Sequence, residues 1–188
     1  MIMNKVLVTN GCSIHSDAQR EQHDYYATNP NCVKDLVQVE TFNYYILEPC
    51  CGEGHISKAL TDAGYFVYSS DLIDRGFGIV KDIFSYPAWG GDIITNPPYK
   101  NSIKYVKHCL DIVNDGAKVA MFLKLTFLEG KERYEFFKDN PPKVVYVYSS
   151  RQICAKNGEF DKCKTNAICY CWYVWVKGFK GEPVIRWI

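Results

Sequence analysis

Short apolar runs that stop at turn-forming residues alternate with helical stripes from residue 44 onward, and this alternation limits the fold more than any other feature of the chain. Residues 44–47 (Tyr-Tyr-Ile-Leu) run into Glu48 and Pro49 and read as a buried strand. Residues 55–63 follow as a helix with Ile56, Ala59, Leu60 and Ala63 on one face, closed by Gly64. Residues 65–70 read as a second strand, and Ile79 with Val80 as a short third one. A further buried strand, residues 92–95, stops at Asn96-Pro97-Pro98, and residues 102–114 form a helix with Ile103, Val106, Leu110 and Val113 on its inner stripe. Beyond it lie a strand (117–123), a helix (129–138), a strand (143–149) and a last, strongly aromatic strand (167–176). Ahead of the alternation, residues 31–40 suggest one short helix with Asn29 or Asn31 near its start, and the polar residues 1–22 read as an arm. Strands and helices taking turns in this way predict an α/β fold with a largely parallel sheet covered on both faces. In such sheets ligands bind beyond the carboxyl ends of the strands.

Composition narrows the setting. At 188 residues the chain suffices for one core, and 47% apolar content argues for a filled interior rather than disorder. No run approaches the roughly 18–20 apolar residues of a membrane span, and the N-terminus lacks a secretory pattern, so a soluble cytoplasmic protein is expected. The nine cysteines sit within apolar runs without regular loop spacing, which predicts reduced thiols rather than a disulfide framework. Cys154, Cys163, Cys169 and Cys171 do not make two zinc knuckles, and no metal is predicted. The net charge of +1 hides an asymmetry: residues 1–94 hold 6 Lys/Arg against 12 Asp/Glu, whereas residues 95–188 hold 16 against 9. The basic half suits a polyanion, although two ordinary charged surfaces would give the same totals.

The strand ends carry the chemistry. Glu48-Pro49-Cys50-Cys51-Gly52-Glu53-Gly54 joins the first strand of the alternation to its helix, and Gly52 and Gly54 permit a sharp turn and close approach to a ligand. A plain tight turn would look the same. A dinucleotide fingerprint needs a third glycine where Ser57 stands, and a pyrophosphate would be repelled by Glu48 and Glu53. A cofactor with a positively charged amino-acid end would be attracted instead, which points to S-adenosylmethionine. Asp71, with Leu72 beside it, ends the second strand about 20 positions on, where a carboxylate accepts ribose hydroxyls; an exposed loop aspartate is the alternative. Asp82 and Ile83 offer an acceptor for an adenine amino group and a packing surface for its ring.

Asn96-Pro97-Pro98-Tyr99 is the strongest motif. Two prolines fix two φ angles and remove two N–H donors, leaving a stiff corner that displays carbonyl oxygens, a side-chain amide and an aromatic ring. An exocyclic amine on a base is a poor nucleophile because its lone pair is delocalised. Hydrogen bonds from its N–H groups to the Asn96 amide oxygen and the Pro97 carbonyl push the nitrogen toward tetrahedral geometry, while Tyr99 stacks on the base for about 1–3 kcal/mol. Direct attack on a sulfonium methyl then needs positioning and preorganised acceptors, not a strong base.

These residues resemble the N6-adenine DNA methyltransferase family. Asn96-Pro97-Pro98-Tyr99 looks like its catalytic motif and residues 48–54 like its cofactor motif. Asp24-Tyr25-Tyr26-Ala27-Thr28-Asn29-Pro30 is similar to the N-terminal motif that wraps the methionine end of the cofactor, although that motif usually reads Thr-Pro-Pro where Asn29 stands. The resemblance covers residues 24–176 and implies a Rossmann-like seven-stranded mixed sheet with an antiparallel last strand. It also implies an S-adenosylmethionine site built from Tyr25, Tyr26, Ala27, Thr28, Glu48, Pro49, Cys50, Gly52, Gly54, Asp71, Leu72, Asp82, Ile83 and Asn96. Residues 123–130 and 174–178 look like small phage or prophage members. Large members carry a target-recognition domain for which residues 23–188 have no room, leaving a place for a protein partner that supplies recognition. The basic insert with Arg151, Lys156, Lys162 and Lys164 is the candidate nucleic-acid loop, or else a solvated lysine-rich turn. The implied substrate is adenine in DNA, flipped out or single-stranded. An amino group in RNA, a glutamine amide in protein, and a non-catalytic binding module are the alternatives.

Overall fold

The computed structural model describes residues 26–152, 154–156 and 168–188. Its first elements are β1 (Tyr26–Thr28), α1 (Pro30–Val39), β2 (Tyr45–Glu48) and α2 (His55–Asp62). They are followed by β3 (Phe66–Asp71), β4 (Ile79–Val80), a 3-10 turn (Ile83–Ser85) and β5 (Asp92–Thr95). The second half holds α3 (Ser102–Ile112), β6 (Lys118–Lys124), a 3-10 turn (Leu125–Leu128), α4 (Lys131–Asp139) and β7 (Val144–Val147). The last three elements are β8 (Cys154–Lys156), β9 (Tyr170–Val176) and β10 (Val184–Trp187). The expected arm, residues 1–22, lies outside the described residues.

Eight strands form the main sheet in the order β10-β7-β9-β6-β5-β2-β3-β4. From β6 to β4 all neighbours run parallel, while β9 enters antiparallel between β6 and β7. Successive strand residues feed opposite faces. Leu47, Ile93, Met121 and Tyr173 join one core with α3 and α4. Ile46, Ile94, Phe122 and Trp172 join the other with α1 and α2. Six successive residues of β9, from Tyr170 to Trp175, are buried because both faces are covered, so this strand reads as a continuous apolar run.

The expected α/β sheet is thus present, with one strand more than the seven expected. The antiparallel strand is not the last one: β10 follows and pairs parallel with β7, Val184 opposite Val144. All four β10 residues are exposed, so no buried pattern marks it in the sequence. A second, two-stranded sheet pairs β1 antiparallel with β8, Tyr26 opposite Lys156. No disulfide is present among the described residues, and no helix among them is long and apolar enough to cross a membrane.

Local chemistry sets the element ends. Asn29 caps α1 by accepting the Asn31 N–H at 3.0 Å, with Pro30 in the first turn. Asp92, only 4% exposed, opens β5 and accepts the N–H groups of Asn43 at 2.6 Å and Lys118 at 2.7 Å. One carboxylate thereby ties the entries of β2 and β6 to β5. Asp92→Ala leaves two backbone donors without this acceptor and is expected to cost about 3 kcal/mol of stability, measured by urea unfolding.

Candidate active site

Because β2, β3 and β5 run parallel, Glu48, Asp71 and Thr95 end at the same edge of the sheet. A cleft opens there, lined by residues of β1, the two loops after β2 and β3, the 3-10 turn at Ile83, the diproline corner and α3. The loop after β2 turns through Gly52 (φ 53°) and Gly54 (φ 82°), both left-handed. A Cβ on Gly54 would lie 2.5 Å from the Phe77 ring, so only glycine fits. The Gly52 N–H donates to Asp71 Oδ2 at 2.8 Å and the Ile73 N–H to Oδ1 at 3.0 Å, which fixes the Asp71 carboxylate at the cleft wall.

Glu48 is 1% exposed and accepts a hydrogen bond from Ser57 Oγ, which lies 2.6 Å from Ser69 Oγ. Burial pushes its carboxyl up to about 8 against the opposing pull of the Ser57 hydrogen bond, and the neighbouring Asp71 charge adds to the rise. Burial also raises the Cys51 thiol to about 12 and the Cys50 thiol well above its usual range, so neither is a thiolate nucleophile at neutral pH. Asp82 caps the 3-10 turn by accepting the Phe84 N–H at 3.0 Å, and the buried Ile83 lines the cleft beside it.

At the corner after β5, Asn96 Nδ2 donates to the Tyr26 carbonyl at 3.0 Å and to Thr28 Oγ1 at 2.9 Å. Both amide hydrogens are therefore spent on β1. Its Oδ1 is buried and has no hydrogen-bond partner among the described residues. A buried acceptor left this way is uncommon and marks a place for a donor. Tyr99 lies 6.2 Å from the Tyr26 ring at an interplanar angle of 23°, and Lys124 Nζ sits 4.7 Å from its centroid.

The structure brings most of the expected residues together. Tyr26, Ala27, Thr28, Glu48, Pro49, Cys50, Asp71, Leu72, Asp82, Ile83, Asn96 and Pro98 all line the cleft. Gly52 and Gly54 shape its floor without lining it, Pro97 is buried, and Tyr99 faces an adjoining cleft. Tyr25, Lys162 and Lys164 lie outside the described residues. Lys156 sits on β8 opposite Tyr26, which brings part of the basic insert to the same end of the sheet. Arg151 is exposed and its guanidinium contacts Cys169 Sγ. Cys51, His55, Ile56, Ile73, Arg75 and Tyr105 also line the cleft and were not singled out from the sequence. His55 and Ile56 were legible, because the first turn of a helix after a glycine loop points at the strand end. Tyr105 was not, since only the packing of α3 turns it this way.

No protein-family model matches the sequence, and no curated protein matches it. Among solved structures, the fold is similar to a Vibrio vulnificus protein described as the modification subunit of a type I restriction enzyme, with a TM-score of 0.60 and 11% identity. That match covers 92% of this chain and 48% of the subunit, so the chain spans about half its length. A Pyrococcus horikoshii protein described as an RNA methyltransferase matches with a TM-score of 0.58 and 14% identity, over 95% of this chain and all of that one. A Listeria monocytogenes protein described as a class I S-adenosylmethionine-dependent methyltransferase gives 0.53 and 10%, covering 85% and 62%. The chain has the class I S-adenosylmethionine-dependent methyltransferase fold.

Glu48 makes stability fall as pH rises. In the folded chain its carboxyl keeps a proton up to about pH 8, whereas the unfolded chain releases it near the ordinary value of 4.5. Between these limits the folded state binds more protons, so this contribution is fully present below the lower limit and is lost by the upper one. Urea unfolding from pH 5 to 8 is expected to show that decline, and Glu48→Gln to remove it.

Proposed function

We propose that the chain is an S-adenosylmethionine-dependent methyltransferase acting on an exocyclic amino group, with adenine N6 in DNA as its substrate. The observation that carries this reading is the buried Asn96 Oδ1, held without a partner among the described residues at the edge of a cleft that also presents Glu48 and Asp71. The class I fold supports the cofactor, and the residues present fit it. Glu48 meets a cationic amino-acid end, Asp71 accepts from ribose hydroxyls while its two backbone donors hold it still, and Asp82 with Ile83 receives an adenine ring. Tyr26, Ala27 and Thr28 close over the methionine end.

The bound cofactor supplies a methyl group made electrophilic by its sulfonium. Asn96 Oδ1 and the Pro97 carbonyl accept the two N–H groups of the target amine, which localises the lone pair on nitrogen. Tyr99 stacks on the base and sets the approach. Bound there, the cofactor would supply its methyl group to this nitrogen and leave as a neutral thioether, with the displaced N–H proton passing to water while Asn96 and the Pro97 carbonyl hold the amine. The acceptors are in place before reaction because β1 holds the Asn96 amide from its other side.

The basic second half and the likeness to a chain described as a restriction-enzyme modification subunit support DNA. The match to a chain described as an RNA methyltransferase keeps an RNA amino group as the second reading. In the DNA reading a partner protein supplies target recognition. Incubation with labelled S-adenosylmethionine and separate DNA, RNA and protein pools is expected to label adenine in DNA; label in protein alone overturns the assignment, and no transfer to any pool favours a binding module. Asn96→Ala is expected to lower transfer by about 10²–10³-fold while cofactor affinity stays within about tenfold. Cofactor binding at pH 7 is expected to release a proton as Glu48 ionises beside the cationic ligand, so affinity climbs toward pH 8 and then levels. Calorimetry in two buffers of different ionisation enthalpy measures this, and Glu48→Gln should abolish it.

A further inference from the structure

We propose that a second cleft, between the first turns of α3 and α4, seats a backbone phosphate of the nucleic-acid strand beside the target base. This rests on the nucleic-acid reading above and names where the strand lies. The cleft is lined by Tyr99, Ser102, Lys104, Lys107, Glu132 and Arg133, among others. It adjoins the candidate active site through the diproline corner, for Pro98 lines the first cleft and Tyr99 the second. A base stacked on Tyr99 therefore has its own backbone at the mouth of this cleft.

The charges match a phosphate. Lys104 and Lys107 stand three residues apart on one helix face, both exposed. Lys104 Nζ lies 4.2 Å from the Phe84 centroid and Lys107 Nζ 5.8 Å from that of Phe136, and neither forms an ion pair among the described residues. Arg133 donates Nη1 to the carbonyls of Thr126 at 3.0 Å and Glu129 at 2.9 Å, which holds its guanidinium at the cleft wall. The lining thus holds three cations against one carboxylate, Glu132. The starts of α3 and α4 have no side-chain cap, since Asn101 is left-handed at φ 64° and Gly130 has no side chain. Their first-turn N–H groups add partial positive charge to the same opening.

The test is fluorescence anisotropy with a labelled adenine-containing single-stranded DNA oligonucleotide, titrated at several salt concentrations. Lys104→Ala/Lys107→Ala is expected to keep the thermal midpoint and the affinity for S-adenosylmethionine. Its oligonucleotide affinity at low salt should drop about tenfold, and the slope of log affinity against log salt should shrink by about 0.7, the loss of one neutralised phosphate on a single strand. A control pair away from the cleft, Lys138→Ala/Lys180→Ala, should leave the slope within about 0.3 of the original if specific contacts rather than net charge decide it. Unchanged affinity and slope in the first pair, with the original chain binding DNA, overturn the phosphate seat and leave the methyltransferase reading intact. Failure of the original chain to bind either DNA or RNA overturns the seat together with the nucleic-acid substrate.

Discussion

The parallel pairing of β2 with β3 on one side and β5 on the other is the constraint from which the site follows. Parallel strands end on the same edge, and the register sets Glu48 beside Ser69 and Leu47 beside Ile93, so three different loops leave the sheet within reach of one another. Asp92 secures that register from the opposite end through the N–H groups of Asn43 and Lys118. The two ends of the sheet divide the work: one carboxylate at the amino ends holds the strands in place, and several at the carboxyl ends face the cleft. Buried apolar layers on both faces keep this arrangement stiff.

Asn96 holds one element in place and leaves an acceptor open with the same side chain. Its two amide hydrogens hold Tyr26 and Thr28, which docks β1 over the strand edge, and the geometry of that docking presents the remaining oxygen without a partner among the described residues. Glutamine at this place would move the oxygen by a methylene, and aspartate would turn two donors into a repelling acceptor. The diproline that follows offers no N–H groups that would occupy the oxygen from within the corner.

Charge distinguishes the two clefts. Glu48, Asp71 and Asp82 face the first cleft, whereas Lys104, Lys107 and Arg133 face the second, with Pro98 and Tyr99 at the boundary. A cationic cofactor and a polyanionic strand would each find the complementary surface, and the opposite signs discourage exchange of the two.

The strand-to-helix alternation and the strand-end motifs are local properties, so the sequence by itself determined the α/β class, the parallel core and nine residues of the cleft wall, whereas Tyr26, Ala27 and Thr28 followed only from the family resemblance. A buried strand must be apolar along its whole length and a helix must show its stripe, whatever surrounds them. Tertiary structure alone decided what depends on residues far apart in the chain. The exposed β10 carries no burial pattern and exists through its register with β7. The pairing of β1 with β8 joins segments about 130 residues apart, and it needed the folded sheet to bring them together. The same is true of Tyr105 in the first cleft and of Lys104 and Lys107 in the second, whose helix stripe is visible in the sequence but whose direction is set by packing against β6 and the core beneath.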